Sequence, residues 1–390
     1  MAQFPRIYRS VKAITVLLLA LATLLAGCAF GGGSTTQAAP KPLNAVPAVR
    51  LANLARGVNL DQWFAEGDLN ATTFQQEYSA SDLRLLKQLG FTYVRLPLDP
   101  TVLLNEAQPG ALDPTYTPYF DTAISRILAA KLAVIVDVHP PDSVKQQMAT
   151  DESFVTTLVQ FVAALAQHLS VRDPDRVFLE VVNEPQLADT ARWANMQARM
   201  IQAIRSVAPV MTLITEATPY ASIDSLRQTT PVADANVVYT FHFYDPIIFT
   251  HQGASWVLNP PMYFAHGIPY PATTPACDAS ERNLEAALLP SVQAYCQQQW
   301  NAQAISARID LIARWAVTNH VHLICDEFGV DRDGAPAVAR AAWISDVRRA
   351  LEHNGIGWGL WEFGDTFGFV SGTPGQRIVD VSITQALGLS

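Results

Sequence analysis

The chain has 390 residues, 49% of them hydrophobic and 16% charged, with a formal net charge of −9. The acidic balance excludes a basic nucleic-acid-binding face, and no composition is extreme enough for disorder, a collagen-like repeat or a coiled coil as the main architecture. The low charge density fits a large buried core, and the length suits one α/β barrel as well as two or three smaller domains.

At the N-terminus, Arg6, Arg9 and Lys12 precede an uncharged apolar run at 13–25 (AITVLLLALATLL). A membrane-spanning helix needs about 20 such residues, so the run reads as the core of a secretory signal. It ends in Leu25-Ala26-Gly27-Cys28, which resembles a bacterial lipobox. The resemblance implies a lipoprotein signal over 1–28 and lipidation of Cys28. It further implies an exported protein held in a membrane by its lipid anchor, with Ala29 favouring the outer membrane. Residues 29–47 carry a single charge among Gly, Ser, Thr, Ala and Pro and read as a flexible tether. That leaves 48–390 as the body.

In the body, short β-branched runs alternate with stretches of helical period. Strand candidates fall at 55–60, 92–96, 133–139, 177–183, 211–216, 237–243, 322–327 and 357–361. Helical stretches fall at 81–89, 118–130, 152–169, 190–207, 222–228, 304–319 and 337–353, with a short last one at 384–389. Ser79 or Ser81 ahead of DLRLL reads as an N-cap, and Gly90 and Gly355 as C-caps. Eight strands with interleaved helices predict an α/β fold, a (β/α)8 TIM barrel rather than a doubly wound sheet. Segment 245–303, between the sixth strand and its helix, is too long for an ordinary connection. It carries Trp256, Tyr263, Phe264 and Trp300 and reads as a lid or substrate wall. Cys277 and Cys296 flank a loop-like part of it, and a bridge between them would be worth about 3 kcal/mol; the alternative is two unpaired thiols. Cys325 ends an apolar run and reads as a buried, inert thiol.

Strand after strand ends in polar residues that have no place in a core: Arg95, His139, Asn183 with Glu184, Glu216, His242 with Tyr244, and Glu327; Trp361 ends the last. The C-terminal strand ends are the active face of such a barrel. Glu184 and Glu327 together meet the requirement of glycoside hydrolysis, one carboxyl to protonate the leaving oxygen and one to attack or stabilise the anomeric carbon. Glu216 reads as a structural carboxylate. His320 and His322, at i, i+2 with no third partner nearby, read as helix-end and strand residues rather than a metal pair. Asn70-Ala71-Thr72 is a glycosylation sequon by letter only. No Gly-x-Ser-x-Gly elbow supports a serine esterase.

The motifs ARGVNL (55–60), YVRLP (93–97), VIVDVHP (134–140), VVNEP (181–185), FHFYDP (241–246), CDEFG (325–329) and GLWEFGD (359–365) occur in that order. They resemble glycoside hydrolase family 5, the cellulase family of retaining (β/α)8 glycosidases, over about residues 52–365. The resemblance implies Glu184 as acid/base and Glu327 as nucleophile, with Arg95 and Tyr244 holding Glu327 ionised. It implies a Glu184 with a pKa lifted towards 6–7, tuned by His242. Asn183 and His139 would bind sugar hydroxyls, and Trp361 would stack under the ring. Trp63, Phe64, Trp256 and Phe367 are candidates for neighbouring subsites, although Trp63, Trp256 and Trp300 suit core or lid packing equally well. The implied substrate is a β-1,4-glucan polysaccharide or oligosaccharide cleaved internally. β-1,3-Glucan and β-mannan are alternatives for the same catalytic set. A non-cleaving carbohydrate-binding lipoprotein is the alternative outside enzymes, against which both glutamates stand. No cofactor or metal is implied, and the chain is expected to be a monomer.

Overall fold

Residues 43–282 and 284–389 are described by the computed structural model of the chain. The signal, Cys28 and the tether as far as residue 42 lie outside the described residues. The strands are β1 (Arg56–Asn59), β2 (Tyr93–Leu98), β3 (Ala133–Val138), β4 (Val177–Glu180), β5 (Leu213–Thr215), β6 (Val237–Phe243), β7 (His322–Phe328) and β8 (Gly357–Leu360). Each pairs in parallel with the next, and β8 closes on β1. Around them run α1 (Ala80–Leu89), α2 (Thr117–Ala129), α3 (Glu152–Leu169), α4 (Thr190–Val207), α5 (Ile223–Arg227), α6 (Ala302–Asn319), α7 (Ala337–His353) and α8 (Val381–Ala386). The (β/α)8 architecture expected from the alternation is therefore the one observed.

Local chemistry sets several boundaries. Ser79 and Asp82 form a reciprocal capping box at the start of α1, and Gly90 ends it in the left-handed region at φ 102°. The last helix begins three residues before the expected 384, because the Asp380 carboxylate caps it by accepting from the Ser382 N–H. Helices at Ala48–Asn53, Ala71–Gln76 and Asp142–Thr150 had no clear signal in the apolar pattern. Asn70 of the sequon is the N-cap of the second of these, accepting from Thr72 and Thr73. Val46 is buried in the barrel floor, and the Pro47 carbonyl accepts from Arg50 at the start of the first short helix.

The period-2 alternation of the strands fills the barrel in layers. The lower layer is apolar: Tyr93, Ala133, Ile135, Phe178, Ile214, Val238 and Ile324, closed below by Val46 and Leu54. Tyr93 is the bulkiest and needs room on both sides. A Cβ on Gly57 of β1 would lie 2.1 Å from its ring, and one on Gly359 of β8 would lie 2.8 Å from its hydroxyl. Two residues further along, the same strand faces deliver Asn59, Arg95, Asp137, Glu180, Glu216 and Thr240, all buried. A second apolar core lies between strands and helices.

Segment 245–303 folds into a helical wall, with helices at Ile247–Thr250, Thr274–Glu281 and Leu289–Gln297. The Cys277–Cys296 disulfide joins the last two, with Cα atoms 6.0 Å apart. Gln252 ties the wall's near end, donating to the Phe249 carbonyl at 2.9 Å and accepting from the Ile268 N–H at 2.8 Å. Cys325 is free and buried, as expected.

Candidate active site

Arg95 on β2 organises the upper layer. Its guanidinium donates to both oxygens of Glu180 at 2.8 Å, to Asn183 at 2.8 Å, to Asn59 at 2.9 Å and to Glu327 at 2.6 Å. Asp137 and Asp326 lie 3.0 and 3.6 Å from it. A planar fork with five donors is the side chain suited to so many acceptors at once. The carboxylates in turn hold its pKa well above the ordinary value, although burial works the other way.

Strand β7 brings two adjacent acids to this layer. Regular alternation would put neighbours on opposite faces. Between Cys325 and Phe328, however, β7 carries one more residue than either neighbouring strand. This bulge lets Asp326 and Glu327 both face inward. Glu327 accepts from Arg95 at 2.6 Å and from the Tyr244 hydroxyl at 3.0 Å. Asp326 lies 3.4 Å from His242 Nε2 and accepts from the Thr240 hydroxyl.

Glu184 follows β4 with φ at +44°, a left-handed backbone that costs a side-chain-bearing residue about 1–3 kcal/mol. Its N–H donates to the buried carboxylate of Glu216 at the end of β5. Glu216 is thus structural, as expected, and it supports the backbone of Glu184. The Glu184 carboxylate lies 2.8 Å from His242 Nδ1, which is also 3.3 Å from Glu327. One oxygen of each glutamate and a nitrogen of His242 all fall within 4.8 Å of one another.

His139 Nδ1 lies 2.7 Å from Asp137, and its ring stacks with Trp361 at 5.9 Å between centroids and 18° between planes. Asn183 Nδ2 is 3.3 Å from His139 Nε2. His139, Asn183 and Trp361 therefore lie together, joined through Asn183 to Arg95.

The electrostatics correct one expectation. Burial works to raise the Glu184 pKa, but the hydrogen bond and charge of His242, with Lys145 and His139 beyond, bring it down to about 2. Burial and the charge of Glu184 raise Glu327 in spite of His242 and Arg95. His242 itself is driven well above 6.5, burial being outweighed by Glu327, Asp326 and Glu184. Glu184, Glu327 and His242 thus titrate as one set rather than singly. His139 is raised to about 9, its burial overcome by Asp137 and Glu66.

Two aromatic candidates move into the core. Trp63 is 0% exposed, packs against Tyr78 at 5.2 Å and donates its indole N–H to the Phe74 carbonyl at 2.9 Å. Phe64 is equally buried, stacked on Phe74 at 4.6 Å. Neither can meet a sugar. Both sit in the loop that follows β1, where Phe64 bridges to Leu98 at the end of β2. Trp300 is nearly buried in the wall. Trp256, in contrast, is 56% exposed and lies 6.2 Å from Phe367, a third subsite candidate that is itself buried at 2% exposure, its ring edge-on to Tyr244 at 6.0 Å. His320 ends α6 and His322 opens β7.

Four acids and a base in the site escaped the motif reading: Asp137, Glu180, Asp326, Glu66 and Lys145. The first three had a signal, since VIVDV, VFLE and LICDEF each set an acid into an apolar strand. Two clusters offer three ligand-type atoms each, Glu180–His242–Asp326 and Glu184–His242–Glu327. In the first, the Arg95 guanidinium already supplies the positive charge that a metal ion would bring.

A family model described as Cellulase (glycosyl hydrolase family 5) matches residues 57–366. Endoglucanase 3 of Fibrobacter succinogenes is 25% identical over 355 residues, which cover 86% of this chain and 53% of that protein, so the chain spans about half of that relative's length. Endoglucanase C of Acetivibrio thermocellus is 23% identical over 320 residues, covering 80% of this chain and 92% of its own. A solved hyperthermophilic endo-β-1,4-glucanase in complex with substrate superposes with a TM-score of 0.72 at 22% identity, over 87% of this chain and 98% of that one.

Proposed function

The chain belongs to the cellulase family, glycosyl hydrolase family 5, and on that premise we propose that it is an endo-acting β-1,4-glucanase that cleaves with retention of configuration. The observation that carries the mechanism is the spacing of the glutamates. His242 Nδ1 stands 2.8 Å from one and 3.3 Å from the other. Oxygens of the two carboxylates come within 4.8 Å. Retaining glycosidases hold their carboxyls at about 5–5.5 Å, whereas inverting ones leave about 6.5–9.5 Å for a water.

In this reading Glu327 attacks the anomeric carbon, with Arg95 and Tyr244 as the donors that keep it ionised and aimed. Glu184 protonates the glycosidic oxygen as the bond to carbon breaks, and later takes the proton of the water that releases the sugar. It gives the first proton from Oε2, since its contact with His242 is made through Oε1, and the two groups and Glu327 titrate as one set. Asn183 and His139 hold sugar hydroxyls, Trp361 carries the ring, and Trp256 extends the floor outwards. The named activities of the endoglucanase relatives favour β-1,4-glucan over β-1,3-glucan or mannan. We also propose the lipid anchor at Cys28 and an exported location, on the strength of the lipobox-like run at 25–28.

Azide distinguishes the two glutamates. With Glu184→Ala, an aryl glycoside should still form the glycosyl-enzyme, and azide should release it as the retained glycosyl azide. With Glu327→Ala no covalent intermediate can form, and azide should give the inverted product. Swapped configurations would reverse the roles, and unimpaired variants would place the chemistry elsewhere.

A further inference from the structure

Lys145 is a charged side chain at the site that none of the roles above uses. It sits on the helix Asp142–Thr150, which follows β3, and is 6% exposed. An ammonium in such a place normally has acceptors for its three donors. Its one ion-pair partner among the described residues is Glu184, with Nζ 4.0 Å from Oε2, beyond hydrogen-bond range. The contact to His242 occupies the other oxygen of Glu184, Oε1. Oε2 is therefore the oxygen left to meet the scissile bond, and Lys145 flanks it.

The helix that carries Lys145 is also held in place. The Gln186 side chain donates to Asp142 at 3.2 Å, and Arg192 donates to the Met148 carbonyl at 3.1 Å. The helix is thus tied to the loop and helix that follow Glu184. We propose that Lys145 is a leaving-side ligand of the substrate: its ammonium takes the hydroxyl oxygens of the departing sugar and faces the carboxylate oxygen that gives up the proton. This rests on the glucanase reading above. As the glycosidic carbon–oxygen bond breaks, its electron pair stays on the oxygen, which takes the proton from Glu184. Negative charge appears on Oε2, 4.0 Å from the Lys145 ammonium. The other charged or titratable groups facing Glu184 are His242 on β6, Tyr244 just after it, His251 after the helix Ile247–Thr250, Glu216 after β5, Glu327 on β7, His139 after β3, and Glu66 in the loop after β1.

The test compares wild type, Lys145→Met and Lys145→Arg on cellotetraose and on 2,4-dinitrophenyl β-cellobioside. The aryl group has no hydroxyls to bind and departs with little protonation. Lys145→Met should lose roughly tenfold more kcat/KM on cellotetraose than on the aryl substrate, the worth of one charge-assisted hydrogen bond. Lys145→Arg should recover most of that difference. The alkaline limb of the Met variant on cellotetraose should move up by about one pH unit, because losing a nearby cation lets the acid keep its proton longer. Equal losses on the two substrates, as misfolding or a packing role would give, overturn the proposal; so does an alkaline limb that stays in place. A wild-type enzyme inactive on both substrates overturns the glucanase reading, and the ligand role with it.

Discussion

Replacing Arg95 by lysine keeps the charge and removes the fork. The guanidinium makes five hydrogen bonds of 2.6–2.9 Å, to Glu180 twice, Asn59, Asn183 and Glu327. An ammonium has three donors on one atom, so at least two buried acceptors go unmet. At about 1.5–3 kcal/mol for each bond to a charged group, the variant should lose about 3–6 kcal/mol. That is a large part of the roughly 5–15 kcal/mol that holds a typical domain together. At about 2–4 °C per kcal/mol, the midpoint of a circular-dichroism melt should fall by about 6–24 °C. Catalysis should suffer separately. Glu327 loses its 2.6 Å donor, its pKa rises further, and the acid limb of kcat/KM moves to higher pH because the nucleophile must be ionised to act. A lysine variant melting within about 2 °C of wild type, with the same pH profile, would refute the view that this fork is what the carboxylates require.

The tryptophans separate in the same way. Trp63→Ala should cost about 3–5 kcal/mol of stability with little change in KM for cello-oligosaccharides, whereas Trp256→Ala should keep its melting temperature and raise KM for the longer chains. A Trp63 variant with normal stability and a raised KM would contradict the burial seen here. Cys28→Ala should shift the protein from the membrane to the soluble fraction of the cells that express it, read by fractionation and immunoblot; an unchanged membrane fraction would remove the anchor.

The barrel was legible in the sequence because all eight strands are short apolar runs bounded by turn residues, and a parallel barrel admits few other arrangements of them. Ser79 and Gly90 disclosed α1 because capping is local chemistry. The helix at Asp142–Thr150 was not legible: only Val144, Lys145 and Met148 are buried, too few to set a period. The polar strand ends announced Arg95, His242 and Glu327, but not who pairs with whom. Asp326 illustrates the difficulty. Alternation assigns it to the face opposite Glu327, and only the bulge on β7, a property of how three strands meet, turns both inward. The upward shift of His242 was harder still, since it depends on carboxylates delivered by three other strands. Trp63 misled because aromatic residues after a strand serve a subsite or a core equally well, and the loop's path decides which.

The upper layer of the barrel also bears on the order in which the chain is made. A growing polypeptide presents β1 to β4 first, and that half holds Asn59, Arg95, Asp137, Glu180 and Asn183, so its guanidinium finds most of its acceptors within the half. The later half supplies Glu216, Asp326 and Glu327 with His242 as the cation of its layer. Alone, it would have to bury three carboxyls around one imidazole, and unpaired buried charge opposes collapse. Synthesis from N- to C-terminus, which lets early segments fold first, therefore sets out the arginine before the acids that depend on it. A circular permutant opened between β4 and β5 would reverse that delivery, leaving the acid-rich half to emerge from the ribosome with nothing to close upon.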